Sequence, residues 1–176
     1  MKFTHKIADF KDIYMIKELM NLSIDGNMGQ LLTDNQLEAA KESMGLDTQL
    51  IQDETYFIIF EENILVGCGG FSYRKTLFGG DHTPNRSDEL LDPAKDPAKI
   101  RAMYTHPSWV RMGVGTYILN LAEKECKKRG FKSVELMATV SGKLLYEKRD
   151  YQVLEQIDYI SNIGNKVPMY RMIKKI

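Results

Sequence analysis

Two glycines separated by one residue, Gly113 and Gly115, stand where a short predicted strand over residues 100–105 gives way to a predicted helix. Glycines let main-chain N–H groups approach an anion closely, and a helix start adds unpaired donors and a positive dipole end. The spacing is compatible with a phosphate cradle, but the glycine pair by itself is a weak signal. A plain turn into a helix would also explain the glycine pair.

Two common nucleotide sites do not fit this turn. The third glycine of a dinucleotide-binding fingerprint would fall at Ile118. No Gly-Lys-Ser or Gly-Lys-Thr follows, so the turn is not a P-loop. The helix, predicted over 113–129, is amphipathic, as expected for one that packs on a sheet. Its apolar stripe is Val114, Tyr117, Ile118, Leu121, Ala122 and Cys126.

The elements around this turn mix helices and strands. A short opening strand and a helix from residue 13 precede a predicted break over 21–29 and a second helix over 33–45. A β-hairpin is predicted next, and a long loop over 74–98 leads to the strand before the glycines. The remaining predicted elements are a strand over 133–138, a helix over 142–148 and strands over 151–160 and 167–173.

Three segments in this order resemble the GNAT superfamily of acyltransferases, and the resemblance extends over residues 56–151. The family has a strand ending in a proline turn, then Gln/Arg-x-x-Gly-x-Gly/Ala at a helix start, then Leu-Tyr-x-Lys-x-Gly-Phe. These correspond here to residues 103–107, 110–115 and 145–151. Val110 replaces the Gln or Arg, and Asp150 with Tyr151 replaces Gly-Phe.

The resemblance implies an α/β (α+β) fold with a mixed, mostly antiparallel central sheet of six to seven strands, a splayed parallel pair and about four flanking helices. Residues 1–176 would form one domain, with an acetyl-CoA-binding core over about 98–151. The turn's main chain would hold the pyrophosphate, and the preceding strand edge the pantetheine arm. The implied acetyl-CoA-binding residues are Met103, Tyr104, Thr105, Arg111, Met112, Gly113, Val114, Gly115 and Thr116.

Tyr146 matches the tyrosine that commonly protonates the departing thiolate in this family, and the resemblance implies that role of general acid. A phenol with an ordinary pKa of about 10 carries its proton near neutral pH and can donate it. The alternative is that Tyr146 only packs its ring at helical spacing from Gly142.

The group that deprotonates the acceptor amine is not evident from the sequence. The strand before the turn offers Lys99 and Arg101 but no carboxylate. The candidate bases are Asp81, His82, Glu61, Glu62 and His106. The candidate acceptor-binding residues are Phe71, Tyr73 and Arg74, although Phe71 could equally belong to the core and Arg74 to a loop surface.

The net charge and the cysteine content indicate which classes of binding partner and which cellular compartment to expect. Lys plus Arg and Asp plus Glu both total 24, so no global field favours nucleic acid or an anionic membrane. The two cysteines suggest neither a disulfide framework nor a metal site, and we expect a cytoplasmic protein without a metal. A homodimer is common in the resembling family.

The leading hypothesis is an N-acetyltransferase that transfers an acetyl group from acetyl-CoA to a primary amine of a small molecule or peptide. A non-catalytic acyl-CoA-binding sensor or interaction module is the alternative, because the expected strand carboxylate is missing. A regulatory domain that binds a different diphosphate is a third possibility.

Overall fold

A computed structural model describes residues 2–176 and contains one seven-stranded sheet. The strands are β1 (Phe3–Ile7), β2 (Tyr56–Glu61), β3 (Ile64–Ser72), β4 (Ala98–Thr105), β5 (Ser133–Ala138), β6 (Gln152–Ile160) and β7 (Lys166–Lys175). Their spatial order is β1-β2-β3-β4-β5-β7-β6. Among these described strands, β4 and β5 run parallel and every other neighbouring pair is antiparallel.

Helices cover both faces of the sheet. They are α1 (Ile13–Met28), α2 (Asp34–Ser43), α3 (Thr48–Gln52), α4 (Val114–Lys128) and α5 (Val140–Glu147). Successive strand residues point to opposite faces; Phe57 and Ile59 pack with α4 and α5, whereas Tyr56 and Ile58 pack with α1 and α2. Within residues 2–176, no helix has the length and hydrophobicity to span a bilayer. This architecture confirms the predicted fold class.

The first long helix, α1, extends beyond its predicted end. It continues through residues 21–28, where a break was predicted, so that part of the prediction is wrong. Gly26 allows close packing there, because a Cβ at this position would lie 2.5 Å from Cγ of Pro107. The buried stripe of the helix repeats every four residues: Ile16, Met20, Ile24 and Met28. Tertiary packing therefore outweighs the weak helix propensity of this segment.

The parallel strands β4 and β5 separate after two paired positions, the second of which joins Lys99 to Glu135. Both side chains are buried and form an ion pair. The guanidinium of Arg171 lies 2.9 Å from the other carboxylate oxygen of Glu135. A buried charge cluster therefore sits where the two strands part, and the predicted splayed pair is confirmed.

A bulge in β4 accompanies this separation. Ala102 has a φ of 50°, and the pairing of β4 with β3 changes register between Cys68 and Gly70. The buried hydroxyl of Tyr56 donates a hydrogen bond of 2.8 Å to the Ala102 carbonyl. Bulges commonly re-aim a strand next to a binding site. Here, Tyr56 satisfies a carbonyl that the bulge removes from the regular ladder.

Candidate active site

A cavity of about 420 Å³ lies in the gap between β4 and β5. Both strands line it, together with parts of α1 and α5 and the turn over residues 110–116, hereafter the cradle. Met112 is the one predicted cofactor residue that does not line the described cavity. The predicted residues that do line it are Met103, Tyr104, Thr105, Arg111, Gly113, Val114, Gly115, Thr116 and Tyr146. The structure thus brings the two main sequence motifs to one space.

The cradle leaves the start of α4 open. Gly113 has a φ of 95°, which glycine adopts without steric cost, and its N-cap position makes no side-chain hydrogen bond. The first helical hydrogen bond runs from the N–H of Tyr117 to the Gly113 carbonyl at 2.9 Å. The N–H groups of the preceding turn of helix therefore have no intrahelical acceptor. No acidic residue occupies the first turn of α4, so the site fits an anion such as a diphosphate.

The second cradle glycine has a packing role as well. A Cβ on Gly115 would lie 2.6 Å from Cδ2 of Leu145 on α5. The absent side chain therefore lets α5 approach the start of α4. Since Tyr146 follows Leu145 in the same helix, this contact also places the predicted general acid beside the cavity.

The edge of β4 is only partly available for pairing with a ligand. The carbonyl of Thr105 accepts a hydrogen bond of 2.8 Å from Nδ2 of Asn27. Its N–H donates to Oγ of Ser23 at 3.3 Å. Both main-chain groups of Thr105 are thus engaged by α1, although the residue lines the cavity. Met103 is therefore the better placed of the two residues predicted to pair with a pantetheine arm.

Tyr146 is nearly buried, with 9% of its surface exposed. Its hydroxyl lies 3.7 Å from Sδ of Met103, across the gap between α5 and β4. Burial raises the pKa of Tyr146, so the phenol stays protonated well beyond neutral pH. The ring also makes an edge contact with Tyr151, with centroids 5.7 Å apart. Tyr146 therefore packs its ring as one prediction had it, and it also lines the cavity, with its hydroxyl close to Met103.

Two candidate bases from the long loop are engaged in structural contacts. The carboxylate of Asp81 accepts hydrogen bonds from the N–H and hydroxyl of Thr48, at 2.9 and 3.0 Å. The ring of His82 bonds to the main-chain carbonyl of Glu42 at 2.7 Å. Neither side chain lines the described cavity.

The other three candidate bases lie around the hairpin turn and the proline turn, and none lines the described cavity. Glu61 accepts a hydrogen bond of 2.7 Å from Nε1 of Trp109, the only tryptophan in the sequence. The Glu61 carboxylate therefore holds the indole ring in position. Glu62 is exposed with a φ of 54°. Nδ1 of His106 accepts from the N–H of Ser108 at 3.1 Å.

The three residues predicted to bind the acceptor lie away from the cavity in the described structure. Phe71 is 1% exposed and belongs to the core. Arg74 pairs with the largely buried Asp53 at 2.7 Å. The guanidinium of Arg129 lies over the rings of Phe71 and Tyr73, 5.5 and 5.0 Å from their centroids. This cluster joins the long loop to the end of α4.

Sequence reasoning missed the part of α1 that lines the cavity. Ser23 and Asn27 fix the end of β4, and Ile24 and Met28 add apolar surface. The continuing four-residue spacing of the buried positions was the signal that could have found them. Arg101 on β4 also lines the cavity. From the sequence, this residue was noted only because the strand has no carboxylate, and no role was predicted for it.

The two cysteine thiols are buried and unsuited to act as nucleophiles. Burial raises the pKa of the Cys68 thiol to about 12, and the thiol of Cys126 is also buried with a raised pKa. Across residues 2–176, no group of three or more His, Cys, Asp or Glu side chains is arranged to hold a metal ion.

The family model of the GNAT acetyltransferases matches residues 26–151, a span that contains the cradle, the splayed strands and Tyr146. The chain belongs to the GNAT acetyltransferase family. No curated protein sequence matches it.

Solved GNAT structures share the fold. A GCN5-related N-acetyltransferase from Rhodopseudomonas palustris is 18% identical with a TM-score of 0.73, over 100% of this chain and 97% of that one. The PaiA N-acetyltransferase of Thermoplasma acidophilum, in complex with coenzyme A, is 16% identical with a TM-score of 0.65 over 100% of both chains. The yncA protein of Salmonella typhimurium, with its cofactor acetyl-CoA, is 17% identical with a TM-score of 0.63, over 98% and 93%.

Proposed function

We propose that this GNAT protein is an acetyl-CoA-dependent N-acetyltransferase that acetylates a primary amine of a small molecule or peptide by direct attack. The observation that carries the proposal is that residues of the cradle and Tyr146 line the same cavity. A ligand held at the cradle by a diphosphate can extend between β4 and β5 toward Tyr146. Acetyl-CoA has a diphosphate and a reactive thioester at separate positions along one molecule.

The cradle would bind the diphosphate of acetyl-CoA through the main chain. The N–H groups of Val114, Gly115 and Thr116 stand at the positive end of α4. Hydrogen bonds to a charged acceptor contribute about 1.5–3 kcal/mol each. The main chain of Met103 would bind the pantetheine arm, while Thr105 remains part of the wall because α1 engages its polar groups.

Bound acetyl-CoA would supply the acetyl group, which is transferred when the amine nitrogen bonds to the carbonyl carbon and the carbon–sulfur bond breaks. Tyr146 would donate its hydroxyl proton to the departing sulfur and regain one from solvent. The proton lost by the amine would leave to water. Because burial raises the pKa of Tyr146, its hydroxyl remains protonated at neutral pH, although it is a weaker acid than a free phenol.

The structural neighbours support acetyl-CoA as the co-substrate. Two of them are complexes with coenzyme A or acetyl-CoA. Two others are described as ribosomal-protein alanine N-acetyltransferases, from Escherichia coli and Brucella melitensis. These activities are those of the neighbours, and they are consistent with amine acetylation by this chain.

The alternative, a non-catalytic acyl-CoA-binding module, is favoured by one specific observation. None of the five candidate bases lines the cavity, and no other described Asp, Glu or His does so. In an enzyme with such a cavity, the amine must enter neutral or lose its proton to water. A binding module needs neither step.

Release of CoA thiol from acetyl-CoA, measured with a panel of primary amines, tests the proposed function. We expect amine-dependent thiol release and an acetylated product detectable by mass spectrometry. Tight acetyl-CoA binding without thiol release for any amine would favour the binding module. Calorimetry with ATP provides a control, because a general diphosphate site would bind ATP and acetyl-CoA alike.

A further inference from the structure

Two large apolar side chains of the long loop, Leu77 and Phe78, line the cavity. Both are half-buried, and neither belongs to the two core clusters formed by the described residues. Met44, at the end of α2, lines the same region. We call these three side chains the loop end of the cavity. Met44 packs partly against the second core cluster, whereas Leu77 and Phe78 contribute little to the core and are available to bind a ligand.

Arg101 of β4 fixes the loop end. Its guanidinium donates hydrogen bonds to the carbonyls of Thr76 at 2.8 Å and Gly79 at 2.7 Å. These two carbonyls flank Leu77 and Phe78 in the chain. Arg101 is 4% exposed, so these bonds are shielded from water. The position of the two apolar side chains is thus determined by a buried cation.

The charge of this cation is already compensated. Asp47, 2% exposed, lies with one carboxylate oxygen 2.8 Å from Arg101 and the other 2.6 Å from Arg86. The hydroxyl of Ser43, also at this end of the cavity, donates to the carbonyl of Ala40 at 2.8 Å. Asp47 Oδ2 makes the ion pair with Arg101 without a hydrogen bond of regular geometry, but Asp47 does not line the described cavity. The large side chains that the loop end offers to a ligand are therefore the apolar ones of Met44, Leu77 and Phe78.

Building on the proposed function, we propose that the acceptor is a monoamine with an apolar body, which packs on Met44, Leu77 and Phe78. The reacting nitrogen is the single amino group of such a substrate. A second ammonium group at the loop end would lose its hydration without gaining a carboxylate partner, which is costly. Diamines and polyamines are therefore poor acceptors for this cavity.

Hexylamine and hexamethylenediamine provide the matched test, because they have the same carbon chain and differ by one terminal amino group. We expect the kcat/KM of thiol release from acetyl-CoA to be at least about tenfold higher for hexylamine. Equal or better use of the diamine would overturn this inference and leave the proposed acetyltransferase function intact. Failure of every amine in the panel to release thiol would count against both proposals.

Phe78→Ala locates the binding site of the apolar body. We expect this change to raise the KM for hexylamine about fivefold, with an unchanged KM for acetyl-CoA, because the proposal places the ring against the acceptor and not against the co-substrate. Phe10→Ala, at a 58% exposed phenylalanine outside the described cavity, is the control and should alter neither value. An unchanged KM for hexylamine in Phe78→Ala would overturn the assignment of the loop end.

Discussion

The cradle and the loop end of the cavity differ in the groups that they offer to a ligand: main-chain groups in the first and side chains in the second. The cradle consists of consecutive residues at the start of α4, where main-chain N–H groups have no intrahelical acceptor, so side-chain identity matters mainly where glycine is required. The loop end presents the side chains of Met44, which follows α2, and of Leu77 and Phe78 in the long loop. The buried guanidinium of Arg101 on β4 binds the two carbonyls that flank the loop pair. If the proposals above hold, the co-substrate site tolerates sequence change, and a few side chains determine the acceptor.

The largest expected effect comes from placing a carboxylate in the cradle. Gly115→Glu should weaken CoA binding by about 100-fold or more, because the new charge repels the diphosphate and the new Cβ would lie 2.6 Å from Leu145. Calorimetric titration of CoA measures the change. Asn120→Glu, at an exposed position of the same helix, is the matched control. Similar affinities for the two variants would remove the distinction between the cradle and the rest of α4.

A smaller effect is expected at Tyr146, which lines the same cavity as the cradle and the loop end. Tyr146→Phe should lower kcat at least about tenfold, equivalent to about 1.4 kcal/mol of barrier, with unchanged CoA affinity. Tyr151→Phe controls for packing, since this neighbouring hydroxyl donates to Glu123 and not into the cavity. Steady-state rates should separate the two variants. Comparable kcat values would reduce Tyr146 to a packing residue.

A conservative change in the support of the loop end should affect only the acceptor. Arg101→Lys retains the charge beside Asp47 but loses the fork that holds both loop carbonyls, so the KM for the amine should rise about threefold. The Kd for CoA should stay the same. Arg74→Lys is the control, because that arginine pairs with Asp53 away from the cavity. An amine KM that is the same in both variants and in the unchanged protein would contradict the role of Arg101 in holding the loop end.

The smallest expected effect is that of alkaline pH. A pKa raised above its ordinary value extends the range in which Tyr146 is protonated toward higher pH. Accordingly, kcat should not fall between about pH 7 and pH 10 through ionisation of this phenol. A pH profile of kcat at saturating substrates tests this. A decline near pH 8 that disappears in Tyr146→Phe would contradict the raised pKa.

The same contrast explains what the sequence could predict. The cradle, α4 and Tyr146 belong to contiguous motifs whose glycine and tyrosine positions have local steric or chemical reasons. The fold class followed from those motifs and is confirmed. The predicted end of helix α1 was too early because Gly26 and Asn27 weaken a helix locally, while the residues that they contact, Pro107 and Thr105, lie about eighty positions away in the sequence.

The loop end of the cavity could not be predicted because its residues meet only in the folded chain. Phe71, Tyr73 and Arg74 were predicted to bind the acceptor. In the fold, the first two contact Arg129 and the third pairs with Asp53, outside the cavity. The pairing of Arg101 with Asp47 and the loop carbonyls has no local sequence pattern. The predicted cytoplasmic location and homodimer stay predictions.

Backbone amide NMR on the intact protein tests the central claim most directly. Addition of CoA should shift the amide resonances of Val114, Gly115 and Thr116, whereas pantetheine, which lacks the diphosphate, should leave them in place while shifting Met103. Amide shifts at the start of α4 that are the same for both ligands, or absent with CoA, would contradict a diphosphate held by the main chain of the cradle.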